Sequence, residues 1–171
     1  LFNCSANRIT KIENLNSNLQ RFNCYRNQIT KIENLPSNLQ IFYCGNNKIT
    51  KIENLSSNLQ KFSCCNNKIT KIENLPPGLK IFECDNNKIK KIQNLPKDLI
   101  EFSCNKNEIT VIENLPPGLK YLFCDCTLIT HIDNLEKNKI NIINYNSDYH
   151  HSTLNLKMYY CIRKFQRRIR R

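Results

Sequence analysis

Ile29-Thr30-Lys31-Ile32-Glu33-Asn34-Leu35 is the stretch that decides the fold. The same seven letters begin at Ile9, Ile49 and Ile69, and near-copies begin at Ile89, Ile109 and Ile129. From Phe2 to Leu135 the interval is 20 residues without a slip. A fixed period of about 20–50 residues marks a solenoid or another stacked array. Each unit then contacts only its neighbours, so the chain is a one-dimensional stack rather than a globule with a single centre.

Working outward, the turn from Leu19 to Leu39 places apolar residues at Leu19, Phe22, Cys24, Ile29, Ile32, Leu35 and Leu39. Gln20 to Tyr25 alternate with period two, the pattern of a half-buried strand. Phe22 and Cys24 point inward, while Arg21, Asn23 and Tyr25 point outward. Asn27 is expected to bend the chain, because Asn tolerates turn conformations and its amide bonds neighbouring backbone. Asn7, Asn47, Asn67, Asn87 and Asn107 repeat it, with Thr127 in the seventh turn. Stacked inward, these amides would satisfy loop groups whose burial unpaired costs about 1–3 kcal/mol each. The return leg, Ile29-x-x-Ile32-x-x-Leu35, runs into Pro36, and later legs into Pro76-Pro77, Pro96 and Pro116-Pro117. Proline removes a donor and fixes φ, so this leg is extended or polyproline-like rather than helical. Burying one apolar side chain contributes about 1.5–3 kcal/mol, against about 1–2 kcal/mol for ordering each backbone residue. No single repeat folds alone on those terms; stacking supplies the remainder.

Seven of the ten cysteines also form a column: Cys4, Cys24, Cys44, Cys64, Cys84, Cys104 and Cys124. On successive parallel strands they would lie about 4.8 Å apart, beyond the Cβ separation of about 3.5–4.5 Å that a disulfide needs. The column therefore reads as reduced core thiols, which favours an intracellular, reducing compartment. A zinc site lacks any C-x-x-C pair, and one column cannot wrap a tetrahedron. No run of about 18 or more apolar residues spans a membrane, and there is no signal-peptide pattern. Leu1 already sits inside a repeat, so the expectation is a fragment or trimmed domain lacking its N-terminal cap.

The pattern L-x-x-F-x-C-x-x-N-x-I-x-x-I-x-x-L-P resembles the leucine-rich repeat, with Phe and Cys standing where Leu often stands. The 20-residue length and Leu-Pro leg are similar to the short repeats of secreted bacterial effectors. The Asn, Ile and Lys bias is similar to repeat proteins of giant amoebal viruses of the mimivirus type. The resemblance covers about residues 1–148. It implies a leucine-rich repeat solenoid in the α/β horseshoe superfamily, here β-rich, with a parallel sheet on its concave face and extended return legs. For function it implies a protein-binding scaffold, since the fold hosts many roles.

In that family the outward strand positions line the concave face. Here they include Arg21, Asn23, Tyr25, Ile41, Tyr43, Lys61, Ser63, Ile81, Glu83, Asp85, Glu101, Tyr121, Phe123 and Asp125. The inward columns barely change from turn to turn and these change in every one, so specificity lives in them. Aromatic residues are enriched among binding hot spots. On the return leg Lys11, Lys31, Lys51, Lys71 and Lys91 form one column. Glu13, Glu33, Glu53, Glu73 and Glu113, completed by Gln93 and Asp133, form another. Opposite columns offset the repulsion of stacked like charges, and the pair reads as a solvated ladder rather than a nucleic-acid stripe. The Asn14 to Asn134 column is expected to cap backbone on the same edge.

Seven clear repeats give way to a degenerate eighth, Ile140-x-x-Ile143-x-Tyr145-x-x-Asp148, restored by a one-residue insertion. Residues 1–148 are one array and residues 149–171 a separate helical segment. Leu154, Met158, Cys161, Ile162, Phe165 and Ile169 fall on one helical face. Lys157, Arg163, Lys164, Arg167, Arg168, Arg170 and Arg171 supply +7 of the net charge of +12. This basic amphipathic helix reads as a cap over the last coil. Its alternative role is binding nucleic acid, anionic membrane or a calmodulin-like protein.

For catalysis there is no acid–base pair, phosphate loop or activated nucleophile with a placed partner. A metal site joining His150, His151 and Cys161 is outweighed by ordinary loop histidines, and Cys65 and Cys126 are the outward thiols open to reaction. The reading is a monomeric, non-enzymatic interaction scaffold with no cofactor and no metal.

Overall fold

The computed structural model of the chain describes residues 1–125, 128–132 and the strand Asn141–Ile142. Its main sheet is parallel throughout. The strands follow one another as β1 (Phe2–Asn3), β2 (Arg21–Asn23), β3 (Ile41–Tyr43), β4 (Lys61–Ser63), β5 (Ile81–Glu83), β6 (Glu101–Ser103), β8 (Tyr121–Phe123) and β10 (Asn141–Ile142). Phe22 pairs with Phe42, Phe42 with Phe62 and Phe62 with Phe82, so the sequence period is also the strand register. The chain is a parallel β-solenoid consistent with a leucine-rich repeat horseshoe. An eighth strand is present, but Ile142, not Ile143, aligns with Leu122. The 20-residue register therefore continues without the expected insertion, since a slip of one would exchange the faces of the strand.

The return legs carry a second ladder. Parallel bridges join Ile32 to Ile52, Ile72 to Ile92 and Ile92 to Ile112. β7 (Val111–Ile112) pairs with β9 (His131–Ile132). No helix occurs among the described residues, as the prolines require. Pro36 is itself buried and begins a tight turn in which its carbonyl accepts from the Leu39 N–H at 3.1 Å. Where a serine replaces it, the Ser56 hydroxyl donates to the Ser37 carbonyl at 2.6 Å.

Between the two ladders the core is a set of columns. Phe22, Phe42, Phe62, Phe82 and Phe102 are buried and stacked, with ring centroids 5.5–5.6 Å apart and planes within 7–9°. The column cysteines from Cys24 to Cys124 are buried as thiols. The thiols of Cys24, Cys44 and Cys64 each donate to the carbonyl 19 residues onward at 3.6 Å. That satisfies the one polar bond a buried thiol offers.

The asparagine column closes the corner. Asn87 Nδ2 donates to the carbonyls of Cys64, Cys84 and Asp85 at 3.1, 3.0 and 3.2 Å, while Oδ1 accepts from the Ile69 N–H at 3.0 Å. Asn27, Asn47, Asn67 and Asn107 repeat the arrangement. The bend itself lies one residue earlier than expected. Ala6, Arg26, Asn46, Asn66, Asn86 and Lys106 take the left-handed backbone, with φ of 52–56°. The second asparagine column, Asn14 to Asn114, is left-handed too, with φ of 51–54°, and its side chains are exposed. It is there because Asn tolerates that backbone region, not to cap neighbouring groups. The solenoid thus turns its corners largely on asparagine, and no glycine has positive φ.

Along the solvated edge, Lys31 pairs with Glu33 at 2.5 Å, and Lys51 with Glu53 and Lys71 with Glu73 at 2.7 Å. Lys11 pairs likewise with Glu13. All are well exposed, and pairs of that kind add little to stability. The segment 149–171, with its basic residues, its histidines and Cys161, lies outside the described residues, as do Cys126, Thr127, Asp133 and Asn134.

Candidate binding face

Because side chains alternate along a strand, each three-residue strand sends one residue inward and two outward. The outward positions assemble into ranks about 4.8 Å apart from strand to strand. One rank reads Arg21, Ile41, Lys61, Ile81, Glu101 and Tyr121; the next reads Asn23, Tyr43, Ser63, Glu83, Ser103 and Phe123. A third continues beyond the strands as Tyr25, Gly45, Cys65, Asp85, Asn105 and Asp125. The fourteen outward residues picked out from sequence therefore share one face. Arg21, Tyr25 and Tyr121 are exposed, and the others are half-buried by their neighbours in the ranks.

The first half of the face is aromatic and basic. Lys61 Nζ stands over the Tyr43 ring, 5.6 Å from its centroid. The Tyr25 ring lies across Gly45, where a Cβ would come within 3.2 Å of Tyr25 Cδ2 and 3.1 Å of the Cys65 carbonyl. Glycine is favoured there by the close approach rather than by backbone angle, since a Cβ would press on both neighbours. The second half is acidic and bonded within itself. Ser103 Oγ and the Asn105 N–H both donate to Asp85 Oδ1, at 2.6 and 2.8 Å, and the Asp125 N–H donates to Asn105 Oδ1 at 2.7 Å. Gly45, Ser103 and Asn105 thus shape the face although their types did not single them out. Their membership of the outward ranks was the available signal.

Burial holds the Asp85 carboxyl above its ordinary range, and Glu83 adds to the rise, against the hydrogen bonds of Ser103 and Asn105. A carboxyl whose folded pKa lies above its unfolded one costs stability when ionised, and the cost fades as pH falls through the folded value. Asp85→Asn is therefore expected to raise the melting temperature at pH 7. The gain should close as the pH is lowered through the carboxylate range, which thermal unfolding followed by circular dichroism would measure.

Burial also pushes the Cys65 thiol up to about 11, with Asp85 the next contributor, and the Cys24 thiol up to about 12. Burial likewise holds the Cys44 and Cys64 thiols well above the ordinary thiol range. Cys65 is thus expected to be a poor nucleophile despite its outward position, since the thiolate is the reactive form. Peptide mapping after iodoacetamide treatment at pH 7.5 is expected to find Cys44, Cys64 and Cys65 unmodified in the folded chain and modified in denaturant. Among the described residues no group of three or more His, Cys, Asp and Glu side chains could hold a metal ion, and no helix is long and apolar enough to cross a membrane.

The profile of a family described as Leucine Rich repeats (2 copies) matches residues 17–57, 37–77 and 57–97. Among solved structures, YopM from Yersinia enterocolitica superposes with a TM-score of 0.74 at 23% identity, over 85% of this chain and 34% of that one. The functional domain of InlJ from Listeria monocytogenes, described as including a cysteine ladder, gives 0.70 at 23% identity over 79% and 32%. The internalin InlF, also from Listeria monocytogenes, gives 0.62 at 25% identity over 77% and 43%. The chain spans about a third of the length of the first two. No curated protein sequence matches it.

Proposed function

We propose that this chain, whose residues 17–97 match the leucine-rich repeat profile, is a protein-interaction module whose partner lies along the outer face of the parallel sheet. One observation carries the reading. The interior columns of Phe, Cys, Asn, Ile and Leu are nearly constant and fully explained by packing, whereas the outward ranks differ in every turn and contribute nothing to the core. Exposed Tyr25 and Tyr121 are the anchors, and Ile41, Tyr43 and Ile81 extend the apolar surface between them. On this reading the sheet face is the concave face of the horseshoe. Changing Tyr25, Tyr43, Glu83 and Tyr121 together to Ala is expected to abolish partner recovery in a pull-down while the circular dichroism spectrum stays unchanged. Undiminished recovery by the folded variant would sink the proposal. The buried column of cysteine thiols supports a reducing, intracellular setting, and the Asn, Ile and Lys bias supports a viral source.

A second reading has its own observation: residues 149–171 contain seven Lys and Arg and no acid. As a cap, that segment would cover the last coil with its apolar stripe; as a binder, it would hold a polyanion with its basic face. Truncation after Ser152 separates the two. Loss of salt-sensitive heparin binding with the array still folded favours the binder, and unfolding of the last turns favours the cap.

A further inference from the structure

The acids of this chain fall into two classes by their surroundings. On the return leg Glu13, Glu33, Glu53 and Glu73 each pair with the lysine two residues earlier, and Glu113 lies 4.0 Å from Lys91. On the outer face Glu83, Glu101 and Asp125 form no ion pair among the described residues, although the chain carries 26 Lys and Arg. From β5 to β8 the outward strand positions hold acids and no Lys or Arg. The face is therefore a local excess of negative charge on a molecule whose net charge is +12.

Its second property is apolar. The register sets Glu101 between Ile81 and Tyr121 in one rank, and Phe123 at the end of the next. Acid and apolar side chains alternate at strand spacing, about 4.8 Å, so the carboxylates are spread along the face rather than gathered about one point. That spacing suits successive side chains of a polypeptide better than a single ion. Phosphate-bearing ligands would be repelled.

We propose that the outer face between β5 and β8 docks a cationic segment of a partner protein, with its Lys or Arg side chains against Glu83, Glu101 and Asp125 and its apolar side chains against Ile81, Tyr121 and Phe123. The occupant follows from charge complementarity, which gives specificity and register more than raw affinity. The rest of the chain repels such a segment at long range, but at physiological salt that repulsion is screened beyond about 8 Å, leaving the local face to decide. The proposal rests on the reading of this face as the binding face and names the chemistry of what binds there.

The test is selection of random dodecapeptides displayed on phage against the full chain, followed by fluorescence anisotropy with the synthetic peptides selected. Peptides enriched in Lys or Arg beside aliphatic or aromatic residues are expected. Their affinity should fall at least about tenfold when Glu83→Gln and Glu101→Gln are combined, and should stay unchanged when Glu33→Gln and Glu53→Gln are combined. Equal loss in both pairs would overturn the proposal as a general charge effect, as would a selection that yields no peptide. Peptides lacking a cationic excess that still lose binding on Tyr121→Ala would overturn it while leaving the binding face intact. Peptides insensitive to Tyr121→Ala and to the Glu83 and Glu101 changes would overturn both.

Discussion

Replacing Asn67 with alanine is expected to lower the stability of the array by roughly 3–5 kcal/mol, among the larger effects of a single substitution. The side chain makes four bonds at once. Nδ2 donates to the carbonyls of Cys44, Cys64 and Cys65 at 3.1, 3.0 and 3.3 Å, and Oδ1 accepts from the Ile49 N–H at 2.9 Å. The Cys44 and Cys64 carbonyls retain a bond from Asn47 and Asn87, and the Cys65 carbonyl retains one from the Asn46 N–H. The Ile49 N–H loses its partner outright, and a buried donor left unpaired carries the largest penalty. Urea unfolding would give the loss, and hydrogen exchange at Ile49 would show that it originates at that amide. The Asn67→Asp variant sharpens the test. Its carboxylate still accepts from Ile49 but faces three carbonyls as an anion, so it should be destabilised at pH 7 and partly recover on acidification. Equal stability of the Asn67→Ala variant and the parent would refute the corner as described.

The second large effect is expected at Phe62. Its ring is fully buried between Phe42 and Phe82, each 5.6 Å away by centroid. Phe62→Ala removes those contacts and leaves a cavity between two rigid neighbouring turns, at a cost of about 3–5 kcal/mol. Phe2 is the internal control. It stacks on Phe22 at 5.7 Å on one side and is 44% exposed, so Phe2→Ala should cost much less. Calorimetry of the two variants checks the pair. Similar losses at both positions would mean that the ring column is not a cooperative element of the stack.

Phe62 was legible in the sequence, since one period of 20 residues and one apolar template force Phe22, Phe42, Phe62 and Phe82 onto successive turns of a single column. The amide column at Asn67 was legible as well, because a buried polar residue repeated in register must be bonding something repeated in register. Other features depended on bond angles and approach distances that letters do not carry. The left-handed residue of the first corner is Arg26, not Asn27, because the amide that fastens the corner must follow the bend rather than form it. The exposed Asn34 serves the second corner by its backbone alone.

What the amino-acid sequence by itself determined was the stack: its period, its parallel register, its inward columns and the face left to vary. Repetition does this, since identical units can bury their edges only against copies of themselves. What tertiary structure decided was the character of that face. The Cys65 thiol was pushed up to about 11 by burial and by Asp85, Gly45 became the bed for the Tyr25 ring, and Asp85 was tied to Ser103 and Asn105 one turn away. Each depends on neighbours 18 to 20 residues distant in the chain. Their effect on charge and access exists only once adjacent turns are in contact.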